Sequence, residues 1–335
     1  MKQALYYKKL KENIIQCQLC PRFCAINPGE IGDCRVRKNI DGKLFSLVYA
    51  EPCAVSVDQI EKKPLYHFLP GSTSFSIGTT GCNLHCLHCQ NWTTSQANAG
   101  EAPTTILEPE DAVRQAINSG SKSISYTYNE PSIFYEYVLD TAKLARKKGL
   151  KNIMVTNGYI NPEPLKELYK YIDAANVDIK GFTEEFYKKI ADAKLKPVLE
   201  ALKSMQKAGT WIEITNLIIP TLNDDLKKIE EMCIWIKENL GTNVPLHFTA
   251  FYPTYKLTGK PSTSVEILKK AHDVAKKVGL NYVYVGNVAN EYNNTYCPKC
   301  KKLLIERTGF FSVLSNNLVK GKCADCKEKI PGVWE

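Results

Sequence analysis

The chain has 335 residues, 44% of them hydrophobic and 24% charged, enough apolar content for one barrel-sized domain with small appendages or for two ordinary domains, and too much for a disordered polymer. Lys and Arg number 44 against 35 Asp and Glu, and this net +9 suits nucleic acid, an acidic partner protein or the phosphate-bearing face of a redox donor, or simply a solvated Lys-rich surface. No run of about 18 apolar residues occurs and Met1 to Lys9 goes straight to charge, so neither a membrane span nor a secretory signal is expected, and a cytoplasmic location is.

The 13 Cys are an odd number and most stand in close groups, which in a reducing compartment points to metal rather than to disulfides. The first group, Cys17, Cys20, Cys24 and Cys34, lies in a Cys-rich N-terminal module assigned to residues 1–70. Its spacing fits zinc or an auxiliary iron-sulfur cluster, and Cys53 is a spare thiol, either a ligand or merely buried. Asp41-Gly42 predicts a hairpin turn between Cys34 and Leu47.

Residues 71–288 read as an α/β core. The strand-like run Ser74 to Gly78 leads into a loop, Gly81 to Asn91, that carries Cys82, Cys86 and Cys89. A cubane [4Fe-4S] cluster has four irons, so a loop offering three thiolates leaves one iron open to a substrate or cofactor. The same loop contains His85 and His88, and three Cys with one His also describes a zinc site; the triad taken alone leaves both readings standing.

Further strands are predicted at Ser123 to Tyr126, Asn152 to Thr156, Ala175 to Ile179, Trp211 to Ile219, Leu246 to Phe251 and Tyr282 to Val285. They alternate with helical stretches, the pattern of a parallel sheet wrapped by helices, and seven strands in all approach the size of a barrel. Pro131 fits a first helical turn and Gly149 its stop, Asn223 is the expected cap of a helix from Asp224 to Leu240, and Gly209 and Gly279 end two more. Leu226, Ile229, Cys233, Ile236 and Leu240 recur as one apolar face, which makes Cys233 core packing, while His272 reads as surface or satisfied structure.

Polar residues cluster at the predicted strand ends, where barrels of this kind carry their chemistry. Asn129 and Glu130 follow the second strand, Thr156-Asn157-Gly158 the third, and Asp178-Ile179-Lys180 the fourth. Alternation puts Asp178 and Lys180 on one face, as a paired binding site or as an ion pair sealing the barrel end. Glu130 is either a cofactor ligand or a first-turn residue favoured by the helix dipole. His247, on the sixth strand, is either a ligand or satisfied structure, and Gly286 ends the last strand beside a cofactor or in a plain turn. In the C-terminal module, 289–335, Cys297-Pro298-Lys299-Cys300 and Cys323-Ala324-Asp325-Cys326 flank strand-like Leu303 to Glu306 and Phe310 to Leu314, a zinc-ribbon signal and more a structural staple than a rubredoxin-like iron.

The Cys-x3-Cys-x2-Cys spacing followed by Asn91 resembles the signature of the radical S-adenosylmethionine (SAM) superfamily, with His88 where that pattern carries an aromatic residue. Tyr128-Asn129-Glu130-Pro131 stands where the superfamily has a Gly-Gly-Glu-Pro-like motif. The Thr156-Asn157-Gly158 and Asp178-Ile179-Lys180 groups and His247 narrow the resemblance to activating enzymes of glycyl radical enzymes, such as that of pyruvate formate-lyase. Cys17 to Cys24, Ile60 to Phe68 and the closing Ile330 to Trp334 look like the radical SAM protein of the AmmeMemoRadiSam system.

The resemblance implies a partial or near-complete parallel (β/α) barrel. It implies a [4Fe-4S] cluster on Cys82, Cys86 and Cys89 and SAM held by Asn129, Glu130, Thr156, Asn157, Gly158, Asp178, Lys180, His247 and Gly286. An electron from a ferredoxin or flavodoxin would cleave SAM to methionine and a 5′-deoxyadenosyl radical, which abstracts hydrogen from a substrate. That substrate is a small molecule or a glycyl residue of a protein, with Memo-like or AMMECR1-like proteins as associated partners. The rival reading is a nucleic-acid-binding protein whose Cys groups hold structural metals, but no stripe of interleaved aromatic and basic residues supports it.

Overall fold

The computed structural model describes residues 1–288, 291–309 and 312–335. An eight-stranded sheet organises the chain, and its strands lie in space in the order in which they occur in sequence. They are β1 (Ala54–Gln59), β2 (Thr73–Gly78), β3 (Ser123–Tyr126), β4 (Lys151–Thr156), β5 (Ala174–Asp178), β6 (Trp211–Ile218), β7 (Leu246–Ala250) and β8 (Val283–Gly286). From β2 to β8 every neighbouring pair is parallel, and only β1 runs antiparallel, against β2. β1 and β8 remain edges, so the sheet is a partial barrel. β3 is covered on both faces and buried along its whole length, its Ser125 hydroxyl satisfied by that of Ser74 on β2 at 2.6 Å.

Between the parallel strands run α1 (Pro109–Asn118), α2 (Tyr135–Lys147), α3 (Pro162–Leu168), α4 (Leu195–Lys207), α5 (Leu226–Leu240) and α6 (Val265–Val278). Crossovers of this kind are what parallel pairing requires. Pro131 opens a short 3-10 turn that runs into α2, and the expected stops Gly149, Gly209 and Gly279 all sit at positive φ just past a helix end. One expected cap differs. Asp225, not Asn223, caps α5 by accepting from the Lys227 N–H, because Asn223 is drawn into the preceding turn, where it accepts from Ile219 N and donates to the Lys180 and Leu217 carbonyls. Ile229, Cys233, Ile236 and Leu240 face the core as expected, while Leu226 at the helix start is exposed.

β1 is the strand that the sequence reading misses, and through it the sheet reaches back to Ala54, inside the segment assigned to the N-terminal module. Ahead of it the hairpin Arg37–Ile40 and Lys43–Ser46 closes on Asp41 and Gly42, both at positive φ. Arg37 pairs with Glu136 of α2 at 3.1 Å, both fully buried, tying this hairpin to the barrel. The chain between β1 and β2 then plugs the barrel floor: Ile60, Leu65 and Phe68 pack on Ile153, Ala174 and Trp211 at the strand starts.

The C-terminal ribbon, with strands Leu303–Thr308 and Ser312–Asn316, docks on the same floor through Leu304, Ile305 and Ile330 against Tyr66, Tyr282 and Tyr284. Phe310, within a predicted strand, and Ala289, where the C-terminal module is set to begin, lie outside the described residues. Among the described residues no helix is long and apolar enough to cross a membrane.

His67 is the polar pin of this floor, wholly buried, with Nδ1 2.8 Å from the Pro331 carbonyl and Nε2 2.6 Å from the Tyr284 hydroxyl. Burial pushes its pKa down from 6.5 to about 4. The folded value lies below the unfolded one, so as pH falls the unfolded chain takes up the proton first; the contribution is intact above pH 6.5 and is lost towards pH 4. The loss expected for this group is ~3 kcal/mol. Melting temperature measured from pH 7 to pH 4 should therefore fall more steeply in the native protein than in a His67→Gln variant, and parallel profiles would refute the assignment.

Candidate active site

The C-terminal ends of the parallel strands open onto a cavity of about 330 Å³. Its wall includes Cys82, Cys86 and Cys89 from the loop after β2, Asn129 and Glu130 after β3, Thr156 and Asn157 from β4, and Asp178 and Lys180 from β5. These side chains are far apart in sequence and meet because each ends a neighbouring strand.

The cysteine loop is shaped by backbone contacts. Gly81 turns at φ +91°, and a Cβ there would stand 2.5 Å from the Cys34 carbonyl, so only glycine fits. His85 N and Leu87 N donate to the Ala191 and Ile190 carbonyls, and Cys89 N donates to the Cys86 carbonyl. Leu84 N and Asn157 Nδ2 point at the Cys82 sulfur, at 3.4 and 3.8 Å, while the Ser95 hydroxyl lies 3.1 Å from that of Cys89. Burial pushes the Cys86 thiol up to about 12 and that of Cys82 well above its ordinary value. Buried thiols of this kind become thiolates when a metal displaces their protons.

Asn157 joins the loop to β4, donating to Asn83 Oδ1 at 2.9 Å. Glu130 is buried and its carboxylate is met by the N–H and hydroxyl of Ser132, by Thr156 Oγ1 at 2.8 Å and by Asn157 N at 2.8 Å. It thus caps its own helical turn and fixes the Thr156-Asn157 wall. Asp178 and Lys180 form an ion pair at 2.7 Å on the cavity wall. Burial works against the Lys180 ammonium, but Asp178 and the Cys86 sulfur outweigh it and hold its pKa above the ordinary value.

Three predicted residues are absent from this wall. Gly158 sits behind it at φ +68°, against Val177 and Val198, as a turn residue. Gly286 ends β8, and it is the following Asn287 that reaches the cavity. His247 stands one layer lower, in the floor, 2.7 Å from the Glu213 carboxylate. It is the second residue of β7, and Thr249, two residues on along the same face, takes the place on the wall.

Other wall residues escape the sequence reading. Lys63 reaches the cavity from the floor segment and pairs with Asp58 of β1 at 2.6 Å, and Tyr128 donates to the same carboxylate at 2.8 Å. Asn176 of β5 and Thr215 of β6 bond to each other at 2.9 Å on the inner face. The available signal was polar residues placed inside otherwise apolar strands.

The two histidines of the loop part ways. His85 uses both ring nitrogens, on Gln96 and Asp33, each at 2.9 Å. His88 is buried on the cavity wall with neither nitrogen partnered. A tight zinc grouping does not form here: among the described residues the only set of three or more His, Cys, Asp or Glu whose ligand atoms lie within 4.8 Å of one another is Cys297, Cys300, Cys323 and Cys326 of the ribbon. Cys53 stays apart, its thiol 3.6 Å from the Gly78 carbonyl, and His272 is occupied by Asp273 and the Tyr292 ring.

A parallel (β/α) partial barrel with three cysteines after its first parallel strand and polar strand ends around one cavity has the architecture of a radical SAM enzyme. The chain belongs to the radical SAM superfamily, whose family model matches residues 76–236. The Uncharacterized protein MJ0808 of Methanocaldococcus jannaschii is 47% identical over 332 residues, 98% of this chain and 99% of its own length. The pyruvate formate-lyase-activating enzyme of Clostridium pasteurianum is 25% identical over 159 residues, 47% of this chain and 66% of that enzyme. Among solved structures, a radical SAM methyltransferase from Sphaerobacter thermophilus superposes with a TM-score of 0.53 at 15% identity, over 70% of this chain and 71% of that one, a likeness of fold.

Proposed function

We propose that the cavity is a SAM-cleaving site, with a [4Fe-4S] cluster on Cys82, Cys86 and Cys89 and SAM on its open iron. The observation that carries this reading is three thiols, Cys86 buried and Cys82 and Cys89 half-buried, which among the described residues are the only cysteines on the wall of a cavity that continues into polar strand ends. Bound there, the pair supplies one-electron reductive cleavage of SAM to methionine and a 5′-deoxyadenosyl radical that takes hydrogen from a substrate.

The residues fit that pair. Lys180 presents an ammonium suited to a carboxylate, and Asp178 beside it presents acceptors for hydroxyls. The buried, unpartnered nitrogens of His88 offer hydrogen bonds to a ligand that the protein itself leaves unmade. Glu130 keeps the Thr156-Asn157 wall in place. The plug on the barrel floor and the helices around it exclude water from below.

The electron donor is a ferredoxin- or flavodoxin-like protein in the cytoplasm, and the hydrogen donor is a small molecule or a residue of a partner protein, with Memo-like or AMMECR1-like proteins as candidates. The test is anaerobic reconstitution with iron and sulfide, followed by dithionite and SAM, scoring 5′-deoxyadenosine and the change in the reduced cluster's EPR signal on adding SAM. No nucleoside and an unchanged signal would defeat the proposal.

A further inference from the structure

Three cysteine groups in one chain allow their geometries to be compared directly. Zinc binds four thiolates at about 2.3 Å in a tetrahedron, which sets their sulfurs roughly 3.8 Å apart. The ribbon has that form, with Cys297 and Cys326 sulfurs at 3.5 Å, Cys300 and Cys323 at 3.6 Å, and all four within 4.8 Å. Cys17, Cys20, Cys24 and Cys34 do not: no three of them close to that spacing, yet all four line one small enclosed cavity. Four thiols that line one space without any three of them closing to within 4.8 Å match a cubane, in which each thiolate binds a different corner. The site triad behaves alike, lining its own cavity without closing to the zinc spacing.

The surroundings suit an anionic cluster. Leu19, Ile26 and Ile133 give the cavity apolar walls. Arg37 also lines it, 1% exposed, and its Nε has no hydrogen-bond partner even though its two terminal nitrogens hold Glu136. A buried cation with an unused donor at a four-thiol cavity is the complement of a four-thiolate cluster. The cavity also adjoins the active site. Asn83 lines it, whereas its neighbours Cys82 and Leu84 line the SAM cavity, so one stretch of backbone divides the two spaces.

We propose that Cys17, Cys20, Cys24 and Cys34 hold a second [4Fe-4S] cluster, fully ligated and separated from the site cluster by the Cys82-Asn83-Leu84 wall. With four protein thiolates, none of its irons is open to substrate. The test is metal, sulfide and Mössbauer analysis of the full chain prepared without oxygen. Native protein should hold about eight irons, four per cubane, with zinc confined to about one per chain in the ribbon.

A Cys82→Ala, Cys86→Ala, Cys89→Ala triple variant should keep about four irons with a cubane spectrum indifferent to SAM. Two zincs per chain in the native protein, or a triple variant without iron beside a native protein with four, overturns the proposal. The native metal count decides even if the variant fails to fold. The SAM-site reading fails separately, if native iron does not respond to SAM while the triple variant still retains its cubane.

Discussion

Cys86→Ala should eliminate 5′-deoxyadenosine production, a fall of about 1000-fold or more, equivalent to about 4 kcal/mol in the barrier, while leaving a folded chain. The reasoning separates the sulfur from the loop. Cys86 is buried on the cavity wall, and its sulfur lies within the electrostatic reach of Lys180. The loop, however, keeps its path through backbone bonds, Leu87 N to the Ile190 carbonyl and Cys89 N to that of Cys86, which a methyl side chain leaves intact. Far-UV circular dichroism and the thermal midpoint should stay close to those of the native protein, and the product assay should read background. Continued product formation would mean that the cluster does not depend on this thiolate, and the assignment of the triad would be wrong.

Why the sequence reveals some of this and hides the rest follows from the range of the interactions. The parallel strands are legible because short strand-like runs alternate with helical stretches, and the helix stops because Gly149, Gly209 and Gly279 take a left-handed conformation that other residues adopt at a cost. The three cysteines on the cavity wall are legible as a group because they fall within eight residues of one another. β1 is missed because it is an antiparallel edge strand of alternating burial, Ala54 to Gln59, with Val55 and Val57 exposed. Asn223 misleads because an Asn can satisfy a turn as readily as a helix start, and the choice rests on contacts with Lys180, 43 positions away.

His247 shows the same limit at the site. The strand is correctly placed, but a ring two residues below Thr249 belongs to another layer of the barrel, and only its 2.7 Å contact with Glu213, 34 positions away, fixes that depth. Lys63 and Asp58 are hidden for a related reason: their pairing depends on a floor segment whose path no local pattern specifies.

That floor layer leads to the second large effect: Glu213→Leu should lower stability by about 4 kcal/mol. Glu213 is wholly buried on β6, and its carboxylate accepts from four donors: Tyr66 N at 2.9 Å, His67 N at 2.7 Å, Trp211 Nε1 at 3.1 Å and His247 Nε2 at 2.7 Å. Burial works against its charge, but the hydrogen bonds it accepts, that from His247 foremost, outweigh burial and hold its pKa below the ordinary carboxylate value. Leucine matches the apolar strand around it but strands two backbone N–H groups and an imidazole in a space closed to water.

Glu213→Gln keeps an acceptor and should cost about half as much. Thr215 and Leu217 continue the same inner face to the cavity wall, so the loss should reach the site as weaker SAM binding in the folded fraction. Thermal melts of the three proteins at pH 7.5 give the ordering, and a leucine variant as stable as the native protein would show that the floor is held by its apolar plug alone.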